Sequence, residues 1–343
     1  MCIALFTTAH PDYSLICIDN RDEYILRPTS RPHWWTHPVT GKQILSSRDL
    51  HRAEQGTWIG VNKQGDFAVL TNYRESALDD VDQNISGIKS RGGMVTSWVG
   101  GLADNGVAQG VDTMVHDDRV KGVGGFSMTC GKLRKKDTEG VAIISNRATS
   151  AGDVPIVGRA RGETWGLSNT TFADPNHWPK ISMGRELLKT TIEEAISKKH
   201  SPEELVEALF KLLDHDTLPV LGDDAPLVEY LNKLRHSIYV PAVGGSKQKQ
   251  EMAEARSRGR QEWDTAGSTS TMEASASGST AFDTGMYGTQ RQTVILVDLD
   301  GNVTFSERAL YDPNGNEIPR GEGDVHVRFR IDNWDKWGHE LIQ

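Results

Sequence analysis

The sequence is poor in cysteine. Cys2, Cys17 and Cys130 are the three in 343 residues, and no two form a C-x-x-C pair. That excludes a disulfide framework and suits a reducing compartment. Basic charge is also short: the net charge is -9, so the broad basic face of a general nucleic-acid binder is not expected. No apolar run approaches the roughly 20 residues that span a bilayer. The start lacks a basic segment followed by a long apolar core. It carries Asp12, Asp19, Asp22 and Glu23 early, unlike a secretory signal or a transit peptide. A cytoplasmic location is therefore expected. There is no G-x-S-x-G elbow, no G-x-x-x-x-G-K-[ST] loop and no repeat at fixed period.

What is present reads as strands, then helices, then strands. "CIALFTT", "YSLICIDN", "TWIGVN", "DFAVLTNY", "GGFSMTCGKL", "GVAIISNR" and "ETWGLSNT" have strand character. "SRGGMVTSWVGGL" predicts a short helix. In "GRELLKTTIEEAISKK", Leu187, Leu188, Ile192, Ala195 and Ile196 fall on one helical face. In "SPEELVEALFKLLDH", Ser201 is the expected N-cap, Pro202 takes the first helical position and Glu204 closes a capping box. The C-terminal part returns to strands, with a hairpin around Asp300-Gly301. "DVHVRFRI" then puts Val325, Val327, Phe329 and Ile331 on one face. The pattern predicts a single α+β domain over 1–343, rich in antiparallel sheet. Residues 244–285 stand apart. Rich in Ser, Thr, Gly, Ala and charge, they cannot bury enough apolar surface to offset ordering, and they predict a disordered or surface-loop insertion with helical character around 248–258.

Chemistry concentrates at the start. A small residue after Met1 permits removal of the methionine, which would leave Cys2 with a thiol and a free α-amine. The thiol is a nucleophile, and an amine of pKa about 7.7–8.0 is a base poised at working pH. A strand beginning at residue 2 would hold that terminus rigidly. The next strand ends at Arg21 and Asp22, and a guanidinium beside a thiol favours the thiolate. Asn72 in "AVLTNY" and Asn169 in "WGLSNT" each end an apolar strand, where a side-chain amide can serve a developing oxyanion. Arg291, ahead of "TVILVDL", is a candidate substrate-binding cation. Each residue also has a plainer reading: Cys2 as a small buried hydrophobe, Asn20-Arg21-Asp22-Glu23 as a solvated turn, the asparagines as turn residues, Arg291 as an exposed strand residue. His33 and His37 lie four apart but sit between Pro32 and Pro38 in an expected loop, so no metal site is predicted. Trp34-Trp35 reads as loop packing or as an aromatic wall for an apolar ligand.

Together, "MCIALF", "NRDEYILRP", "ILSSRDL", "GTWIGVN", "LTNYRE", "SRGGMV", "WGLSN", "ISNR", "YGTQRQTVILVD" and "VTFSER" resemble the NRDE family, also called the transport and Golgi organization 2 family. The resemblance covers essentially the whole chain outside the insertion. It implies an N-terminal-nucleophile hydrolase-like αββα sandwich: two mostly antiparallel sheets flanked by helices. A second resemblance, through "MCIALF…ICIDNRDE", "GVNKQGDFAVLTNY" and "GLSNTTF", is to the choloylglycine hydrolase and penicillin V acylase group. It implies Cys2 as nucleophile, Arg21 as its arginine, and Asn72 and Asn169 at the oxyanion site. In those hydrolases the aspartate follows the arginine by three residues. Tyr24 fills that position here, whereas Asp22 adjoins Arg21. Arg291 matches a distal arginine loosely.

Two function classes are therefore expected. One is a cysteine amidase or acyltransferase acting on a small or lipid-like acyl compound. The other is a non-catalytic carrier for haem or acyl-CoA that uses the same pocket. No metal or cofactor is called for. The family resemblance implies an association with Golgi and ER organisation or with mitochondria.

Overall fold

The computed structural model describes residues 1–72, 90–117, 123–135, 139–174, 177–222, 225–261 and 284–335. Two sheets, antiparallel at every pairing, form its centre. The six-stranded sheet runs β10 (Thr164–Leu167), β1 (Ile3–Thr7), β2 (Tyr13–Tyr24), β11 (Tyr287–Asp298), β12 (Asn302–Ala309) and β13 (Asp324–Arg330). The seven-stranded sheet runs in chain order through β3 (His33–Thr36), β4 (Gln43–Ser46), β5 (Ile59–Asn62), β6 (Asp66–Asn72), β7 (Phe126–Lys132), β8 (Val141–Ser145) and β9 (Ile156–Val157).

Alternation along the strands builds the layers, because successive side chains point to opposite faces. On β1, Ala4 and Phe6 join Cys17, Phe67, Val69, Ile295 and Phe305 in a core between the sheets. Ile3 and Leu5 point the other way. With Ile16, Ile18, Val294 and Leu296 they pack on α3 (Pro179–Lys198) and α4 (Pro202–Leu213). The second sheet sends Ile44, Ala68, Leu70 and Met128 outward to α1 (Gly92–Ser97), the π-helical turn Trp98–Leu102 and α2 (Val107–His116). The architecture is thus helix, sheet, sheet, helix, as expected.

Several local expectations hold. Ser201 Oγ accepts from Glu204 N at 3.2 Å while the Glu204 carboxylate accepts from Ser201 N at 2.7 Å, with Pro202 opening the helix. The β11–β12 hairpin turns at Gly301, whose φ of +82° favours glycine. A Cβ there would also lie 2.5 Å from Trp334.

Other expectations change. α3 starts at Pro179, one and a half turns before the predicted segment. Leu188, Ile192 and Ala195 are buried, but Ile196 is 40% exposed because the inward stripe has rotated past it. His33–Thr36 is a strand rather than a loop: Trp35 packs toward the helices and Trp34 toward the inter-sheet core, an alternation that pairing with β4 stabilises. The stretch 244–285 is not uniformly without structure. Ser246–Arg256 forms a helix (α6, after α5 at Leu227–Leu231) whose Met252 is buried with Ile25, Leu310 and Tyr311. Met252 and Ala255, three apart, are its buried residues, and Arg256 Nε donates to the Gly315 carbonyl at 2.8 Å. Residues 262–283 of the expected insertion lie outside the described residues.

Candidate active site

The pairing of β1 with β2 places Ile3 opposite Asn20 and Ala4 opposite Asp19. Continued by two residues, that register brings Cys2 and Met1 alongside Arg21 and Asp22. The Met1 ammonium lies 2.9 Å from Asp22 Oδ2 and donates to the Tyr287 hydroxyl. Tyr287 in turn donates to the Asp22 carbonyl at 3.1 Å, and the same carbonyl accepts from Cys2 Sγ at 3.6 Å. The other carboxylate oxygen, Oδ1, accepts from Thr289 Oγ1 at 2.7 Å. Thr289 reaches it because the β2–β11 register shifts between Thr289 and Arg291, leaving Gln290 as the extra residue of a bulge. Lys180, wholly buried in the first turn of α3, donates to the Met1 carbonyl at 2.5 Å, and its Nζ lies 4.0 Å from Asp22 Oδ2.

Cys2, Asp19 and Arg21 share the parity of Ala4, Phe6 and Cys17, and so they face the other sheet. Arg21 stacks over the Trp58 ring at 4.7 Å and donates to Thr29 Oγ1 at 3.3 Å. Asp19 is 2% exposed, and burial pushes its carboxyl up to about 8 against the opposing pull of Arg21. Two strands away Glu307 accepts from Ser47 Oγ and stands 3.7 Å from Arg291 Nε. Arg291 lies directly across from Arg21. It is 1% exposed, and its guanidinium donates to the carbonyls of Gln290 and Tyr311. It is therefore not the exposed strand cation that its sequence position allowed.

The strand ends that carry the asparagines meet at Ser168. Its hydroxyl donates to the Cys2 carbonyl at 2.7 Å and to Asn169 Oδ1 at 3.3 Å. Its own carbonyl accepts from Thr71 Oγ1 at 2.8 Å. Asn169 is buried, and Asn72, next to Thr71 at the end of β6, is half-buried. Cys2, Arg21, Asp22 and Asn169 are thus gathered around the first strand, with Asn72 one residue from the Thr71–Ser168 link.

The activated thiol is expected of the form without Met1, and the Met1-bearing form differs from it. Cys2 is 2% exposed, and burial pushes its thiol up to about 12, so Arg21 nearby does not make it a thiolate. Sequence reasoning also missed Lys180, Tyr287, Asp19 and Glu307. The signal for Lys180 was legible: a lysine directly after the Pro179 that opens a helix. Among the described residues no group of three or more His, Cys, Asp or Glu side chains could hold a metal, and no helix is long and apolar enough to cross a membrane. A groove of about 490 Å³ runs between β10 and α3, lined by Gly166, Phe172, Ile181 and Arg185 among others. Cys2 does not line it.

These features define the class: an αββα sandwich of two antiparallel sheets between helical layers, with its first cysteine at the head of an interior strand. The chain belongs to the Transport and Golgi organisation 2 family, whose pattern matches residues 1–312. It is 26% identical over 343 residues to the Transport and Golgi organization protein 2 homolog of Bos taurus, covering 96% of this chain and 99% of that protein. The Homo sapiens homolog is 26% identical over 326 residues, covering 91% and 94%. An uncharacterized protein of Saccharomyces cerevisiae is 28% identical over 329 residues, covering 91% and 92%. Among solved structures, the C2A mutant of the conjugated bile acid hydrolase from Clostridium perfringens matches at 10% identity. That match covers 98% of this chain and 94% of the other, with a TM-score of 0.36. So low a score leaves the fold assignment resting on the layers described above.

Proposed function

We propose that the protein works with Met1 removed, as an N-terminal cysteine amidase or acyltransferase on a small or lipid-like acyl compound. The observation that carries this reading is the cradle around the first amine. Asp22, Tyr287 and Lys180 form a buried polar recess that Met1 occupies and that the Cys2 α-amine would border once Met1 is removed, beside a thiol on a strand too well packed to fray. In the reaction the Cys2 thiol passes its proton to its own α-amine, and sulfur bonds to the amide carbonyl carbon. The tetrahedral oxyanion is met by the amides of Asn72 and Asn169. Collapse breaks the C–N bond, the departing amine takes the proton, and a thioester remains. Water, or an acceptor amine or alcohol in acyl transfer, then releases the acyl group. Arg21 favours the thiolate once the site opens to solvent, and Arg291 braces the arginine row beneath it.

A second reading, a carrier for haem, acyl-CoA or a related lipid, is favoured by one observation: with Met1 retained the thiol is buried and protonated. In either form, the names of the curated homologs support a role in transport and Golgi organisation. N-terminal sequencing of the native protein, followed by an amide and thioester substrate screen against Cys2→Ala, separates the two. Quantitative retention of Met1 leaves the carrier.

A further inference from the structure

Lys180 is the least expected residue of the site. It is 0% exposed, at the second position of α3. A cation there opposes the positive end of the helix dipole as well as losing its hydration. Its backbone N–H donates to the Arg235 carbonyl at 3.1 Å, which fixes the helix start, and its Nζ lies 5.6 Å from the centre of the Trp178 ring. Nζ reaches the Met1 carbonyl oxygen at 2.5 Å. Within one peptide unit that oxygen is about 2.3 Å from the following nitrogen. The lysine is therefore within about 5 Å of the Cys2 nitrogen. Removal of Met1 leaves that nitrogen nearly in place, because Ser168 holds the Cys2 carbonyl and β1 pairs on both sides.

The processed site then contains two buried amines and one adjacent carboxylate, Asp22. Two cations there would leave one positive charge without a carboxylate partner. The proton goes to the more basic amine, and the lysine side chain exceeds an α-amine by about 2.5 pKa units in water. We propose that Lys180 is a positioning residue for this chemistry: by taking Asp22 as its own ion-pair partner, it keeps the Cys2 α-amine neutral and able to accept the thiol proton. This inference rests on the reading that Met1 is removed. The other titratable groups facing the pair are Cys2 ahead of β1, Asp19 on β2 and Tyr287 on β11. β10, packed on the same helix, carries none. Burial moves both the Met1 amine and Lys180 toward the neutral form, which sharpens the competition for a single proton.

The test uses full-length protein released from an N-terminal tag so that Cys2 is the first residue, labelled with 13C-cysteine. The Cys2 Cα shift, assigned by comparison with Cys2→Ala, is followed against pH by NMR in wild type, Lys180→Met and Lys180→Arg. Removing the competing cation should raise the amine titration by about one to two pH units in Lys180→Met. It should stay near wild type in Lys180→Arg, which keeps the charge. The pH profile of Cys2 alkylation by iodoacetamide should move in the same direction. If Lys180→Met does not fold, Lys180→Gln serves, and a wild-type amine that titrates at or above 8 overturns the proposal without any variant. An unchanged titration in a folded neutral variant, or a shift shared by Lys180→Arg, also overturns it. The two readings fail separately. A wild-type Cys2 no more reactive than Cys17 removes the nucleophile, whereas a reactive Cys2 with no response to Lys180→Met removes only this role.

Discussion

Ser168 Oγ donates to the Cys2 carbonyl at 2.7 Å, tying the last turn of one strand end to the first residues of another. The two residues are 166 apart in sequence, yet their link locates the cysteine within the sheet. The Ser168 carbonyl, in turn, is held by Thr71 from the second sheet. One serine thus couples the ends of β1, β6 and β10.

Ser168→Ala should therefore cost about 1 kcal/mol of stability, the typical net value of one buried hydrogen bond, with a further cost for the unsatisfied carbonyl. It should lower any amide turnover more than this suggests, since Cys2 and Asn169 lose their common tether. Urea unfolding beside steady-state kinetics checks both. Turnover that falls only in proportion to folded fraction would reduce Ser168 to a structural role.

Asp22→Asn should be more costly in the Met1-bearing form. It leaves the Met1 ammonium and Lys180 without their carboxylate, and removing one partner from a buried ion pair typically costs about 3 kcal/mol or more. Adding Lys180→Met to Asp22→Asn should restore part of the loss, because the uncompensated cation goes too. A double-mutant cycle in urea reads this, and strict additivity would show that the two side chains do not interact.

Asp19 gives a pH dependence of known sign. Its folded pKa, about 8, lies above the ordinary carboxyl value of 3.8, so the folded protein binds a proton that the unfolded chain releases. That contribution is fully present below pH 4 and is lost as pH rises toward 8, at up to about 1.4 kcal/mol per pH unit. Asp19→Asn, which mimics the protonated acid, should flatten this decline. Unfolding midpoints of the two proteins from pH 5 to pH 8.5 should diverge as pH rises, wild type falling. Parallel curves would place the proton elsewhere.

The layers were legible because alternation and capping are local. Ile3 and Leu5 against Ala4 and Phe6 already divide β1 into two faces, and Ser201 with Glu204 marks a helix start. The cysteine, arginine and aspartate were legible for a related reason: a short hairpin carries Asp22 back to the chain's first residues. The rest depends on pairings far apart in sequence. Asp22 needs Thr289 and Tyr287, some 265 residues on, and the bulge at Gln290 that aims Thr289 leaves no local mark. Arg291 read as a substrate-binding cation or an exposed strand residue, because its run of neighbours does not reveal the buried partners it meets. Trp34-Trp35 read as loop because two prolines flank a strand only four residues long.

The last prediction separates the two forms of the terminus. With Met1 retained, the Cys2 thiol sits at about 12, held there chiefly by burial. At pH 7.5 its thiolate fraction is then about three orders of magnitude below that of a free cysteine of pKa about 8.5. Protein prepared with methionine removal inhibited should show Cys2 alkylating with iodoacetamide no faster than Cys17 or Cys130, both buried and both raised well above the ordinary thiol value by burial. The rate should still climb about tenfold per pH unit between pH 8 and pH 10, because the titration lies above that range. Removing Met1 frees the recess that its side chain fills against Tyr230, Val243 and Tyr287, admits solvent to the thiol, and puts the new α-amine beside it. Cys2 should then react about a hundredfold faster or more near pH 7, while Cys17 and Cys130 stay silent. Arg21→Ala in the processed protein should withdraw part of that gain by raising the thiol again. Peptide mass spectrometry resolves the three cysteines in one experiment. A Met1-bearing protein whose Cys2 already reacts like free cysteine would contradict the buried thiol described here. A processed protein whose Cys2 remains inert would leave the terminus as a structural plug and favour the carrier.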